Sequence, residues 1–167
     1  MEFFDVIGKR YSVRSYKPDP VEPEKLKRIL EAGRLAPTAC NLQPFKIIVA
    51  ETKGRKEALK KIYPREWFSD APYIIGVCTV SGDCWVRRDQ KSYANVDAAI
   101  VMDHMILAAT DLGVGTCWIG AFDPRAFMDA FELEENLEPV VLTPLGYPSD
   151  IKTDRGRKPF DDLVIYK

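Results

Sequence analysis

The chain has 167 residues, 46% hydrophobic and 29% charged, so it is long enough for one domain with a substantial core and too short for two of ordinary size. A formal net charge of −1 gives no electrostatic reason to expect nucleic acid or an anionic membrane as partner, and Met1-Glu-Phe-Phe-Asp lacks the basic and apolar regions of a secretory signal, which points to the cytoplasm. Four scattered cysteines, Cys40, Cys78, Cys84 and Cys117, match neither a zinc ribbon nor a Cys-x-x-Cys redox pair and read as reduced thiols with buried structural roles.

Phe3, Val6, Ile7 and Arg10 fall at helical spacing, and the helix they predict delivers the polar, basic segment from Tyr11 to Tyr16. After the proline-rich tract Lys17 to Pro23, Glu24 opens a second helix with Leu26, Ile29, Leu30 and Gly33 on one face and Pro37 beyond its end. Ala36 to Phe45, Ala-Pro-Thr-Ala-Cys-Asn-Leu-Gln-Pro-Phe, then reads as a stiff loop, because Pro37 and Pro44 fix their own φ and push the residue before each toward an extended conformation. Its amides, the Thr38 hydroxyl and the carboxamides of Asn41 and Gln43 suit a flat ligand with hydrogen-bonding edges. An ordinary helix-to-strand connection fits these ten residues equally well.

Phe45 to Ala50 is a strand by its β-branched run, and Lys53 to Ile62 an amphipathic helix with Ala58, Leu59 and Ile62 inward. Tyr73 to Val80 is apolar on both faces, the mark of a central strand. The polar stretch Ser81 to Ser92, with Trp85, Arg87 and Arg88, has the length of a lid or site wall, and Trp85 either covers a ligand or packs onto the core. Asn95 to Leu112 is a helix apolar nearly all round, and its three Asp and one His make it a poor membrane span. A single chain of this size has difficulty covering such a helix, which argues for a dimer. Asp97, His104 and Asp111 share one stripe, two turns apart, and the lone His104 reads as structural rather than catalytic.

Gly113 and Gly115 end that helix, and Thr116 to Phe122 is a short strand running into a turn at Gly120. Asp123 and Pro124 form an N-cap and first-position pair for a helix through Phe131. Pro139 to Pro148 is the last core strand. Ser149 to Pro159 is a polar loop carrying Lys152, Arg155, Arg157 and Lys158, and Leu163 to Tyr166 closes the chain as an apolar strand able to reach a neighbouring subunit. The whole pattern, residues 1–167, is one α+β domain.

Several of these stretches resemble one family. Arg10-Tyr-Ser-Val-Arg14, the loop Ala36 to Phe45, the run from Asp97 through Leu112-Gly-Val-Gly-Thr-Cys-Trp-Ile-Gly-Ala121, then Gly146-Tyr-Pro148 and Arg155-Gly-Arg-Lys-Pro159 are similar, in order and over nearly the whole chain, to the nitroreductase family of FMN-dependent oxidoreductases. The resemblance implies a mostly antiparallel central sheet surrounded by helices, in an intertwined homodimer with FMN at the subunit interface. Arg10 and Ser12 match the family's phosphate and ribityl contacts, and Arg155 and Arg157 match the tail pair that closes on the same phosphate. Paired guanidinium bonds to phosphate oxygens are the chemistry such a site needs. Arg14 matches the cation beside the flavin's pyrimidine edge, where it stabilises negative charge on the reduced ring. Pro37, Thr38 and Ala39, with Asn41 and Gln43 beside them, resemble the segment that reaches the isoalloxazine from the second subunit. Ile119 and Gly120 match the turn whose backbone donates toward N5.

The activity implied is hydride transfer from NADH or NADPH to the flavin, followed by reduction of a small acceptor such as a nitroaromatic or quinone. The flavin performs the chemistry, so no side chain is assigned a catalytic role. Oxygen-using and dehalogenating relatives, and a flavin-binding or sensing protein without efficient turnover, are the alternatives, with the Ser81–Ser92 loop deciding among the first. Three departures stand out: Thr38-Ala39 replaces a common pair of hydroxyl residues, Phe45 replaces a common Trp, and the short chain lacks the insertion that shapes substrate pockets in larger members.

Overall fold

The computed structural model describes residues 1–153 and 156–167. Four strands, β1 (Phe45–Glu51), β2 (Tyr73–Val80), β3 (Gly115–Thr116) and β4 (Leu137–Gly146), form a sheet in the order β1-β2-β4-β3, with every pair antiparallel. The run Tyr73–Val80 thus occupies an interior position, as its two apolar faces require. Alternation along it divides the core: Ile75 and Val77 pack with Ile29, Met102 and Met105, while Ile74 and Cys78 pack with Leu59, Phe68 and Phe127. Pro139 has no amide for the ladder, and the register between β2 and β4 slips at Val77/Cys78, where Val141 and Pro139 are the successive partners.

Among the described residues six α-helices clothe this sheet: α1 (Phe3–Lys9), α2 (Pro23–Arg34), α3 (Lys56–Ile62), α4 (Glu66–Asp70), α5 (Ala94–Asp111) and α6 (Pro124–Ala130). α2 and α5 contribute to the first core, and α3, α4 and α6 to the second. The α2–α5 approach is close, since a β-carbon on Gly33 would lie 2.8 Å from Met105 Cγ. Asp123 caps α6 as its sequence predicts, its Oδ1 accepting from the Ala126 amide at 2.9 Å. Along α5, Asp97, Ala98, Val101, Met102, Met105, Ile106 and Ala109 are buried, but Val96 is 41% exposed. The α5 face bearing Val96 and Asp103 is left uncovered by this chain.

Three expectations change, and one short helix has no counterpart in the sequence analysis. α3 starts at Lys56 rather than Lys53, because the Arg55 amide closes a turn on the Thr52 carbonyl (3.0 Å) with Gly54 at φ +79°. The Thr116 strand shrinks to two residues and an Ile119–Leu142 bridge, because the Cys117 amide turns to the Thr143 hydroxyl (3.0 Å) instead of a strand carbonyl. α4, five residues long, has no periodicity of its own in the sequence and is held by Phe68 in the core. Leu163–Tyr166 forms no strand: it follows a turn of 3₁₀ helix at Phe160–Asp162 without pairing to the sheet, and Ile165 and Tyr166 are 77% and 83% exposed. Among the described residues no helix is long and apolar enough to cross a membrane.

Candidate functional site

α1 ends at Lys9, with the Arg10 amide still bonded to the Val6 carbonyl at 3.0 Å. The chain then runs extended along β3: Ser12 bridges Thr116, and the Val13 amide donates to the Thr116 carbonyl at 2.9 Å. Gly115 permits this approach, because a β-carbon there would sit 2.8 Å from Val13 Cγ2 and 3.2 Å from the Gly146 carbonyl. The extended backbone sends Val13 into the core and leaves Ser12 half-buried and Arg14 exposed. Tyr16 is buried with its hydroxyl donating to the Val13 carbonyl (3.0 Å), and burial, with a smaller contribution from Cys117, pushes its phenol far above the ordinary range.

The far side of this segment is fastened to the continuation of β4. The Lys17 amide donates to the Tyr147 carbonyl (2.8 Å) and the Ser149 amide to the Ser15 carbonyl (2.9 Å). Asp150 accepts from the Arg14 amide at 2.8 Å and from the Tyr11 hydroxyl at 3.2 Å. Burial raises the Tyr11 pKa, and the Asp150 charge and hydrogen bond raise it further.

Arg10, Tyr11 and Ser12 line a cavity of about 950 Å³ whose other wall includes Lys152, Gly156 and Arg157. Arg10, Ser12 and Arg157 are therefore brought together, and Lys152, which sequence reasoning counted only as a loop cation, joins them. Among the described residues none of Arg10, Lys152 and Arg157 is ion-paired, and Asp103 is the one carboxylate in the lining. Arg157 donates to the Gly156 carbonyl at 2.7 Å and Lys152 to the Gly8 carbonyl, which holds both side chains without cancelling their charge. A concave wall with more positive than negative charge favours anions by its electrostatics. Arg155 lies outside the described residues.

The loop from Ala36 to Phe45 does not line that cavity. It contains a 3₁₀ turn at Ala39–Asn41, and Cys40, Asn41 and Gln43 have φ of +52°, +55° and +53°. Left-handed backbone costs on the order of 1 kcal/mol at each such residue and persists only where the surroundings impose it. Three side-chain bonds help to do so: the Gln43 amide to Thr38 Oγ1 (3.0 Å), Gln43 Nε2 to the Asn41 carbonyl (3.2 Å), and the Ala39 amide to Asp97 Oδ1 (2.9 Å). Cys40 is exposed on this loop and Cys84 is half-buried, contrary to the buried role expected of the cysteines, whereas Cys78 and Cys117 are buried and burial pushes the Cys78 thiol up to about 12.

Residues Ser81 to Ser92 stand beside this loop, the Val80 amide donating to the Pro44 carbonyl at 2.9 Å. They fold back on themselves through a Val86–Ser92 bridge. Trp85 packs edge-on against Tyr93 (4.9 Å between centroids), and Arg87 is held by both Asp89 oxygens at 2.9 and 2.6 Å. Ile119 bonds Leu142 through both its amide and its carbonyl (2.9 and 3.0 Å), so its amide is already taken; Gly120 is exposed, with open space where a β-carbon would lie. Val96, Ala99, Ile100, His104 and Trp118 line a separate apolar groove of about 570 Å³ on α5, which shares Asp103 with the cationic cavity. The His104 Nδ1 lies 3.0 Å from the Ile100 carbonyl of its own helix, a structural bond in keeping with the reading from sequence.

The Nitroreductase family profile matches residues 7–73 and 63–147 of the chain. A nitroreductase family protein from Clostridium difficile 630 superposes with a TM-score of 0.91 at 37% identity, covering 100% of this chain and 99% of that one. A protein from Desulfovibrio desulfuricans, solved in complex with FMN, has the same fold at 24% identity and a TM-score of 0.87, covering 100% and 97% of the two chains. The chain is 28% identical over 165 residues to the FMN reductase [NAD(P)H] of Bacillus subtilis strain 168, covering 89% of this chain and 66% of that protein.

Proposed function

Because the chain belongs to the nitroreductase family, we propose that it is an FMN-dependent oxidoreductase, a homodimer with FMN at its subunit interface, that passes electrons from NADH or NADPH to small acceptors such as nitroaromatics or quinones. The observation that carries this reading is the cavity where Arg10, Lys152 and Arg157 present positive charge that no ion pair among the described residues neutralises, with Ser12 beside them. Its donors fit a phosphate monoester: guanidinium groups offer paired bonds to the oxygens, and the Ser12 hydroxyl adds a neutral donor or acceptor beside them.

FMN, when bound, supplies a two-electron carrier between the nicotinamide and the acceptor. The chain's part is to bind, orient and polarise. Arg14 does not line the cavity; its amide is held by Asp150 and its guanidinium donates to the Ser12 carbonyl at 3.2 Å, and by the family resemblance it would supply a cation that favours negative charge at the pyrimidine edge. Gly120 offers an exposed backbone donor with space for a ring to approach. Pro37, Thr38, Ala39, Asn41 and Gln43 complete the site of the partner subunit. Two features support that placement: the loop is absent from its own chain's cationic cavity, and the uncovered apolar strip of α5 runs between the Asp97 end, where the loop is tied, and Asp103, which borders the cavity. Those two residues are about 9 Å apart along the helix axis.

Purified protein should be yellow with a flavin spectrum, and anaerobic NADH or NADPH should bleach it. Protein that stays colourless and takes up no added FMN would overturn the cofactor assignment. Flavin that binds but resists bleaching by either nucleotide would make this a binding protein rather than an oxidoreductase.

A further inference from the structure

Asp97 is the least expected residue of the α5 helix. It is a carboxylate only 2% exposed in the first turn, among apolar neighbours. Its Oδ1 accepts one hydrogen bond, from the Ala39 amide at 2.9 Å, and its Oδ2 is buried with no donor among the described residues. A buried carboxylate is costly to keep and is retained where something depends on it. What depends on this one is the segment Thr38–Gln43, where three residues without glycine's freedom hold left-handed backbone.

The loop's other bonds are mostly internal: the Asn41 amide to the Thr38 carbonyl, the Leu42 amide to the Ala39 carbonyl, and the two bonds of Gln43 to Thr38 and Asn41, while the Gln43 carbonyl accepts from the Phe45 amide at 2.9 Å where the chain enters β1. Internal bonds let the loop hold a shape, but they do not fix that shape to the rest of the molecule. At the C-terminal end the Pro44 carbonyl is bonded to the Val80 amide and Phe45 enters β1. At the other end Asp97 is the side chain that ties the loop to the core. We propose that Asp97 is a positioning residue that anchors the strained Thr38–Gln43 loop in its ligand-ready shape, acting as a hydrogen-bond acceptor on Ala39. The positioning of flavin rests on the function proposed above; the anchoring of the loop does not.

Asp97 has a competing role. It lies in the first turn of a long helix, where a negative charge favours the helix dipole whatever the loop does. Two near-isosteric changes separate the roles. Asp97→Asn removes the charge and keeps an oxygen acceptor; Asp97→Glu keeps the charge and moves the acceptor out by one methylene. Anchoring predicts that Asn is tolerated and Glu is not, and a dipole role predicts the reverse.

The test is amide hydrogen exchange across residues 38–43 in the flavin-free full-length protein, followed by FMN titration of the same samples. Exchange in this stretch should rise about tenfold or more in Asp97→Ala, the scale of a lost hydrogen bond to a charged acceptor. It should rise comparably in Asp97→Glu and stay near wild type in Asp97→Asn. FMN affinity should follow the same order. If Asp97→Ala does not fold, the Asn and Glu variants decide the matter alone. Exchange unchanged in Asp97→Glu, or raised in Asp97→Asn as much as in Asp97→Ala, overturns the anchor; a loosened loop with undiminished FMN affinity overturns the positioning. A wild-type protein that takes up no FMN defeats the proposed function and the positioning while leaving the exchange result to judge the anchor.

Discussion

Tyr16 links the basic segment to pH. Its phenol is buried against the Val13 carbonyl, so the folded chain holds that proton more tightly than the unfolded chain, where tyrosine has its ordinary value of 10.0. Below pH 10.0 both states are protonated and the contribution to stability is complete. Above it the unfolded chain ionises first, and stability falls by about 1.4 kcal/mol per pH unit for as long as the folded state keeps its proton. Tyr16→Phe removes this titration and one hydrogen bond. Urea unfolding should show the variant about 1 kcal/mol less stable near neutral pH, with a shallower decline on the alkaline side. Parallel alkaline slopes in the two proteins would mean that Tyr16 is not the coupled group. The same residue scale separates Ile119 from Gly120, which resemblance pairs: the first commits its amide to Leu142, and only the second has a backbone open to a ligand.

At the scale of elements, the Arg10–Tyr16 segment owes its place to β3. Gly115 and Val13 are in such contact that Gly115→Ala forces either the segment or the Gly146 carbonyl to move. Overpacking of this kind costs about 1–3 kcal/mol. Since Arg10 and Ser12 lie on the moved segment, thermal melting and FMN titration should both worsen in Gly115→Ala. Lost stability with unaltered FMN affinity would show that the shift is absorbed on the β4 side. This dependence could not be read from sequence, where Gly115 looks like a second helix terminator beside Gly113. Only Gly113 adopts the left-handed backbone that such a role needs, at φ +73°. The legible elements are those with their own periodicity or punctuation: the two-faced apolar run of β2, the Asp123–Pro124 start of α6, the long apolar α5. The illegible ones are set by partners distant in the chain. α4 exists because Phe68 is drawn into a core built from Leu59, Ile74 and Phe127. Leu163–Tyr166 has strand composition but pairs with no strand of this chain among the described residues. The site divides in the same way. The arginines and the double-proline loop are visible as residue types in order, whereas the Asp97 anchor depends on Ala39 lying opposite a helix 58 residues away.

For the whole molecule, the decisive feature is where its exposed apolar surface lies. Val96 and Trp118 are 41% and 45% exposed, Phe3 and Phe4 of α1 are 62% and 81% exposed, and Phe160 and Leu163 of the tail are 65% and 62% exposed. Phe3 and Phe4 border the cationic cavity, and Val96 and Trp118 border the groove that shares Asp103 with it. Apolar surface of this kind around a polar site suits the proposed dimer interface, in which a second copy of the chain would bring to it the Pro37–Gln43 loop that each cavity lacks. Val96→Asp tests this at a position that makes no core contact of its own. A carboxylate in the groove, facing Asp103 and lacking water once covered, should be unfavourable enough to separate the subunits. Light scattering should then give the mass of one chain, circular dichroism should be unchanged, and FMN should be lost, because the two halves of each site come from different subunits. A variant that stays dimeric would place the contact away from α5. A folded monomer that keeps its FMN would show that the Pro37–Gln43 loop reaches the cavity of its own chain, and completion of the flavin site would no longer be a reason for the chain to dimerise.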